Sequence, residues 1–129
     1  MSFAVGQVAE VSRRYSATDI DNYIALGGHR PPGDTIQEPL VSALFSFLLG
    51  VKLPGQGTNY LKQESDFFDA AHVDDVLCAR VEIMRLRPEK HLVDLKTTCE
   101  TEDGKRICEG RALVYVADVS DSEGAGQDL

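Results

Sequence analysis

The sequence predicts one α+β domain in which an antiparallel sheet wraps a largely buried helix. Three observations predict it. Residues 39–51 form an apolar run of helix length, several later segments alternate with the period of a strand, and an Asp-Gly pair joins the last two of them.

The helix comes from its pattern. Leu40, Val41, Leu44, Phe45, Leu48 and Leu49 make a wide apolar face, and Ala43 and Phe47 leave little that is polar. Pro39 suits a first helical turn, where a missing N–H breaks no hydrogen bond, and Gly50 lies near the other end. Ahead of it, residues 3–15 alternate loosely and predict one or two short strands. Ser16 or Thr18 can cap a short helix carrying Ile20, Tyr23, Ile24 and Leu26, which Gly27 and Gly28 stop. Residues 29–34, with two prolines and a glycine, read as a loop.

After the central helix, residues 52–57 read as a loop and residues 58–63 as a strand, continued over 65–68 past a bend. Over residues 75–84, Leu77, Ala79, Val81 and Ile83 alternate with Cys78, Arg80 and Glu82. The final hairpin, 92–101 against 106–116, turns at Asp103-Gly104, the composition of a two-residue type I′ turn. That register sets Cys99 opposite Cys108, Thr97 opposite Gly110, Leu95 opposite Ala112 and Val93 opposite Val114. A slip by one residue would turn the apolar set to water. The domain is expected over residues 1–117; residues 118–129 are acidic, Gly/Ser-containing and expected to be disordered.

Composition excludes some functions. A net charge of −8 argues against nucleic acid or an anionic membrane as main partner, since both need clustered Lys and Arg. The first residues lack a basic, apolar leader pattern, and the longest apolar run is broken by Ser42 and Ser46 and too short to cross a bilayer. The three cysteines match no zinc spacing and point to a reducing cytoplasm. The chain carries no nucleotide fingerprint, metal motif or catalytic-triad spacing.

One stretch is more specific. Pro39-Leu-Val-Ser-Ala-Leu-Phe-Ser-Phe-Leu-Leu-Gly50, followed by Leu53-Pro-Gly-Gln-Gly-Thr-Asn-Tyr-Leu61, resembles the MaoC-like family, close to the (R)-specific enoyl-CoA hydratases. The likeness extends back through residues 16–26 and on through Phe67, His72-Val-Asp-Asp75 and Cys108-Glu-Gly-Arg-Ala112. It implies a hot-dog fold, a homodimer or a heteromer with a catalytic hot-dog subunit, and an acyl-CoA or acyl-carrier thioester as ligand. Coenzyme A would then enter as part of the substrate, with no separate cofactor or metal.

The resemblance places the family's hydration site at Asp-x-x-x-x-His in the loop after the first helix, under a covering segment, and at His-Gly before the central helix. This chain departs at each point: the loop is His29-Arg-Pro-Pro-Gly-Asp34, the cover is mostly absent, and Gln37-Glu38 replaces His-Gly. His29 and Asp34 keep the offset with the types reversed, and a His/carboxylate pair can hold and deprotonate a water. The candidate catalytic residues are therefore His29, Asp34 and Glu38, with Gln37, Ser46 and Tyr60 lining the substrate. The backbone N–H at Glu38 would polarise a thioester carbonyl.

Three readings stay open: a hydratase/dehydratase-type lyase with a rebuilt site, a thioesterase in which Glu38 activates water, and a non-catalytic subunit. Plainer readings stand beside them: Glu38 complementing the helix dipole, Ser46 bonding back along its helix, and Tyr60 packing. His72 and His91 read as solvated, and Cys99 with Cys108 as a buried thiol pair. Arg13, Arg14, Lys52, Lys62, Arg85 and Arg87 are candidates for a coenzyme A phosphate edge.

Overall fold

The computed structural model describes residues 3–117; the acidic segment from residue 118 lies outside them. The chain runs β1 (Val8–Arg14), α1 (Ala17–Ala25), α2 (Glu38–Phe47), a π-helical turn (Leu48–Lys52), β2 (Thr58–Phe67), β3 (Val76–Arg87), a short 3-10 turn (Pro88–Lys90), β4 (Leu92–Thr101) and β5 (Arg106–Val116). All five strands join one antiparallel sheet in the order β1-β3-β4-β5-β2. No described helix is long and apolar enough to cross a membrane.

Each element follows from a local cause. Ser16 caps α1 through a capping box: its hydroxyl accepts from the Asp19 N–H at 3.2 Å, and the Asp19 carboxylate accepts from the Ser16 N–H at 2.8 Å. Those bonds, led by the backbone donor of Ser16, hold the Asp19 carboxyl below the usual range. Gly27, at φ +106°, ends the helix in a conformation that only glycine adopts freely.

The core lies between α2 and the concave face of the sheet. Phe45 and Leu48 are fully buried, with Val41, Leu44 and Leu49 beside them. They meet Leu77, Ala79, Val81 and Ile83 of β3, Val93, Leu95, Thr97 and Cys99 of β4, and Cys108, Ala112 and Val114 of β5. Alternate positions carry charge on the other face, where Arg80 pairs with Glu82, Arg106 with Glu100 and Glu109, and Arg87 with Asp94.

The helix differs from its expected bounds. It begins at Glu38 and gives way after Phe47 to the wider π turn, in which the Leu53 N–H reaches back five residues to the Leu48 carbonyl at 2.7 Å. Leu48, Leu49 and Leu53 are all buried across this turn.

The hairpin register matches all four expected pairs. The turn type does not. A type I′ turn needs positive φ at both central residues, and only Gly104 has it, at φ +93°. The Gly104 N–H bonds the Thr101 carbonyl at 2.9 Å, and the pairing shifts between Cys99 and Glu100. The loop is therefore a type I turn followed by a left-handed glycine and a bulge. The bend expected near Glu64 is absent, since Gln63, Glu64 and Ser65 pair in regular register with Ala112, Arg111 and Gly110; the strand is continuous, and its one pairing irregularity lies earlier, around Leu61.

Truncating Phe45 removes the largest fully buried side chain between helix and sheet. Phe45→Ala should cost about 3–5 kcal/mol, read as a lower urea midpoint with an unchanged slope.

Candidate functional site

The site is built around the first turn of α2. The loop before that turn docks, strand-like, against the connection between β2 and β3. The Ile36 N–H donates to the Ala71 carbonyl and the Val73 N–H to the Asp34 carbonyl, both at 2.8 Å, and Thr35 bridges His72. From the other side, the Tyr15 hydroxyl donates to the Leu40 carbonyl at 2.7 Å. Burial pushes the Tyr15 phenol up, against the Arg13 guanidinium lying 4.9 Å from its ring centre.

Gln37, buried, is the residue before the helix. Its side-chain amide donates to the His29 carbonyl at 3.1 Å, while Oε1 has no partner. Glu38 opens the helix with an exposed side chain. Its N–H, at the positive end of the helix, takes no hydrogen-bond acceptor among the described residues, and Pro39 has no N–H to offer. Glu38 lines a groove of about 280 Å³ whose walls are otherwise mainly apolar: Ile36, Val41, Phe67, Phe68 and Ile107. The first turn thus offers an unsatisfied donor and a carboxylate beside apolar walls, an arrangement suited to a polarised carbonyl with a carbon chain attached.

Ser46 and Tyr60 come together nearer the other end of α2. The Tyr60 hydroxyl donates to Ser46 Oγ at 3.2 Å, tying the helix to β2. Ser46 thus bonds across to a strand rather than back along its own helix.

His29 and Asp34 do not pair. Asp34 Oδ1 lies 2.9 Å from Nδ1 of His72, and the exposed His29 contributes only its backbone carbonyl to Gln37. The expected reversed pair is corrected here. Once Asp34 and Thr35 align beside His72 and Val73, the carboxylate is aimed at His72. His72 is solvated as expected, with its side chain 41% exposed, but it is carboxylate-bound as well. No sequence spacing marks a pair 38 positions apart. The docking of residues 34–36 on 71–73 creates it.

The buried Cys99 and Cys108 face each other across β4 and β5. Their mutual hydrogen bond, then burial, push the Cys99 thiol up. Among the cationic candidates, Lys62 is committed to Glu64 at 3.0 Å and Arg87 to Asp94 at 2.7 Å. No cluster of three or more His, Cys, Asp or Glu with the geometry to hold a metal occurs among the described residues.

A sheet wrapped on a single buried helix, with a groove at that helix's first turn, defines a hot-dog domain. An (R)-specific enoyl-CoA hydratase of Aeromonas caviae is 34% identical over 127 residues, spanning 88% of this chain and 95% of that protein. A 3-hydroxybutyryl-CoA dehydratase of Methylorubrum extorquens is 29% identical, spanning 87% and 80%. The solved structure of the A. caviae (R)-hydratase involved in PHA biosynthesis superposes with a TM-score of 0.81 at 32% identity, over 89% of this chain and 98% of that one. No family model matches the chain. At this identity and coverage, the chain belongs to the (R)-specific enoyl-CoA hydratase family.

Burial pushes the Tyr60 phenol above its ordinary range, and the Ser46 hydrogen bond opposes that shift. Ser46→Ala should therefore raise the Tyr60 ionisation midpoint further, followed by the pH dependence of its ring carbon resonances. A fall would contradict the bond.

Proposed function

We propose that this chain is a hydratase/dehydratase-type lyase that adds water to an enoyl thioester, or removes it from the 3-hydroxyacyl thioester, at the first turn of α2. The observation that supports this most is the unpaired Glu38 N–H at the head of a buried helix, beside an apolar groove. Adding water to the double bond drives negative charge onto the thioester oxygen. A fixed N–H there stabilises the transition state more than the ground state. Gln37 fixes the approach of the preceding loop through the His29 carbonyl. The substrate class is an acyl-CoA or acyl-carrier thioester, and coenzyme A enters only as part of it.

The partner is a second copy of the chain, joined along β2. That strand is a sheet edge, and Tyr60 and Leu61 on it are 41% and 57% exposed, with Phe47 and Val51 also open on the neighbouring helical segment. Three free thiols, Cys78, Cys99 and Cys108, support a cytoplasmic setting.

Two measurements test these statements. With crotonyl-CoA, the purified chain should consume the enoyl absorbance. Glu38→Pro deletes the N–H at a position where proline fits a helix, and should cut kcat by about a hundred- to a thousandfold. Glu38→Gln keeps that N–H. If the wild type instead releases free thiol, and Glu38→Gln stops it, the chain is a thioesterase; if it acts only beside a second hot-dog protein, it is a non-catalytic subunit. In sedimentation, the wild type should run at twice the chain mass and Leu61→Lys at the single-chain mass. Equal masses would remove β2 as the joint.

A further inference from the structure

We propose that His72, oriented by Asp34, is the acid–base imidazole of this site; the proposal rests on the hydratase reading. Hydration needs one group that takes a proton from water and then delivers one to the carbon next to the thioester. Neither His29 nor His91 has a carboxylate partner among the described residues, whereas His72 is bonded to Asp34 at 2.9 Å through Nδ1.

That bond fixes the chemistry of the ring. An ionised carboxylate can only accept, so Nδ1 carries the proton and Nε2 presents a lone pair. No hydrogen bond among the described residues uses Nε2. The backbone holds the ring in place: the His72 N–H donates to Asp75 Oδ2 at 3.0 Å, and bonds on either side of the Thr35 bridge lock both strands. Thr35 and Ala71, the chain neighbours of Asp34 and His72, both line the Glu38 groove. His72 lies directly opposite Thr35 across the bridge, where paired residues share a face, so the pair adjoins the groove wall at Thr35 without itself lining it. Its imidazole comes from the loop between β2 and β3, apart from the two places where the family resemblance puts its catalytic groups, while Asp34 belongs to the loop after α1.

The step balances without a co-reactant. Nε2 takes a proton as the water oxygen bonds the β-carbon. The double-bond electrons move to the α-carbon and thioester oxygen, where the Glu38 N–H meets the charge. The imidazolium then returns its proton to the α-carbon, which regenerates the neutral ring and completes the addition of one water. Asp34 touches no substrate; it is a positioning residue that sets the tautomer and stabilises the imidazolium.

The experiment compares His72→Gln, Asp34→Asn, Asp34→Glu and His29→Ala in the full chain, by crotonyl-CoA hydration and by imidazole nitrogen NMR with butyryl-CoA, an unreactive saturated analogue. His72→Gln should lower kcat about a hundred- to ten-thousandfold with KM within a few-fold. Asp34→Asn should lower kcat at least about tenfold, and Asp34→Glu should recover most of it, a rescue that mere loop packing would not give. Butyryl-CoA should shift the His72 Nε2 resonance. A larger kcat loss in His29→Ala than in His72→Gln, or in Asp34→Glu than in Asp34→Asn, overturns the assignment. A wild type inactive on every enoyl thioester defeats the hydratase reading alone. The NMR then decides His72 separately: a moved Nε2 signal keeps it at the thioester site, and an unmoved one removes it.

Discussion

The seating of α2 against the concave sheet is the constraint on which everything else depends. Phe45 and Leu48 have no exposed surface and Leu49 only 1%, so the helix cannot shift without opening the core. A helix locked along its length has a fixed first turn. The position of the Glu38 N–H is thus set by apolar burial several residues away, and two anchors refine it: Tyr15 on the Leu40 carbonyl and Ile36 on Ala71. The donor has no partner within the helix because it belongs to the first turn, and the Gln37 side chain ahead of it makes no cap hydrogen bond.

What was legible in the sequence follows the range of the forces involved. The β4–β5 register was legible because an alternation of period two admits one pairing that keeps Val93, Leu95, Cys99, Cys108, Ala112 and Val114 inside. The central helix was legible because its apolar face is wide. The π turn after it was not, because nothing local says that Leu48, Leu49 and Leu53 must all face one sheet. Turn type escaped for a similar reason: Asp103-Gly104 serves either loop, and the bulge at Cys99 and Glu100 decides between them.

The candidate site divides along the same line. Gln37, Glu38 and Ser46 were singled out because they belong to one continuous motif on and before a helix, and Tyr60 because it follows the same glycine-rich loop. His72 lacks any such local mark. Its significance exists only after the chain segment of Asp34 lies antiparallel to its own. In a shortened loop, reversing an acid and a base does not simply mirror the pair. With three glycines and two prolines between α1 and Asp34, His29 is carried away from the carboxylate and used at its backbone instead. Tertiary closure then supplies a different imidazole to the same carboxylate.

The two sheet edges carry a further consequence of patterning. On β1 the outer strand shows Glu10, Ser12, Arg13 and Arg14, polar side chains that blunt an open edge. On β2 the early part instead exposes Tyr60 and Leu61, and the bulge at Leu61 lies next to the Ser46–Tyr60 bond. Unlike charges and apolar side chains, the unpaired backbone groups are common to both edges, so side-chain chemistry distinguishes them. The edge that β2 presents exposes large apolar side chains, and it is coupled to α2 through a side-chain bond. A strand laid against β2 would therefore press on the same helix whose first turn bears the donor. The proposed pairing would then reach the site through Ser46 and Tyr60 rather than through the groove walls.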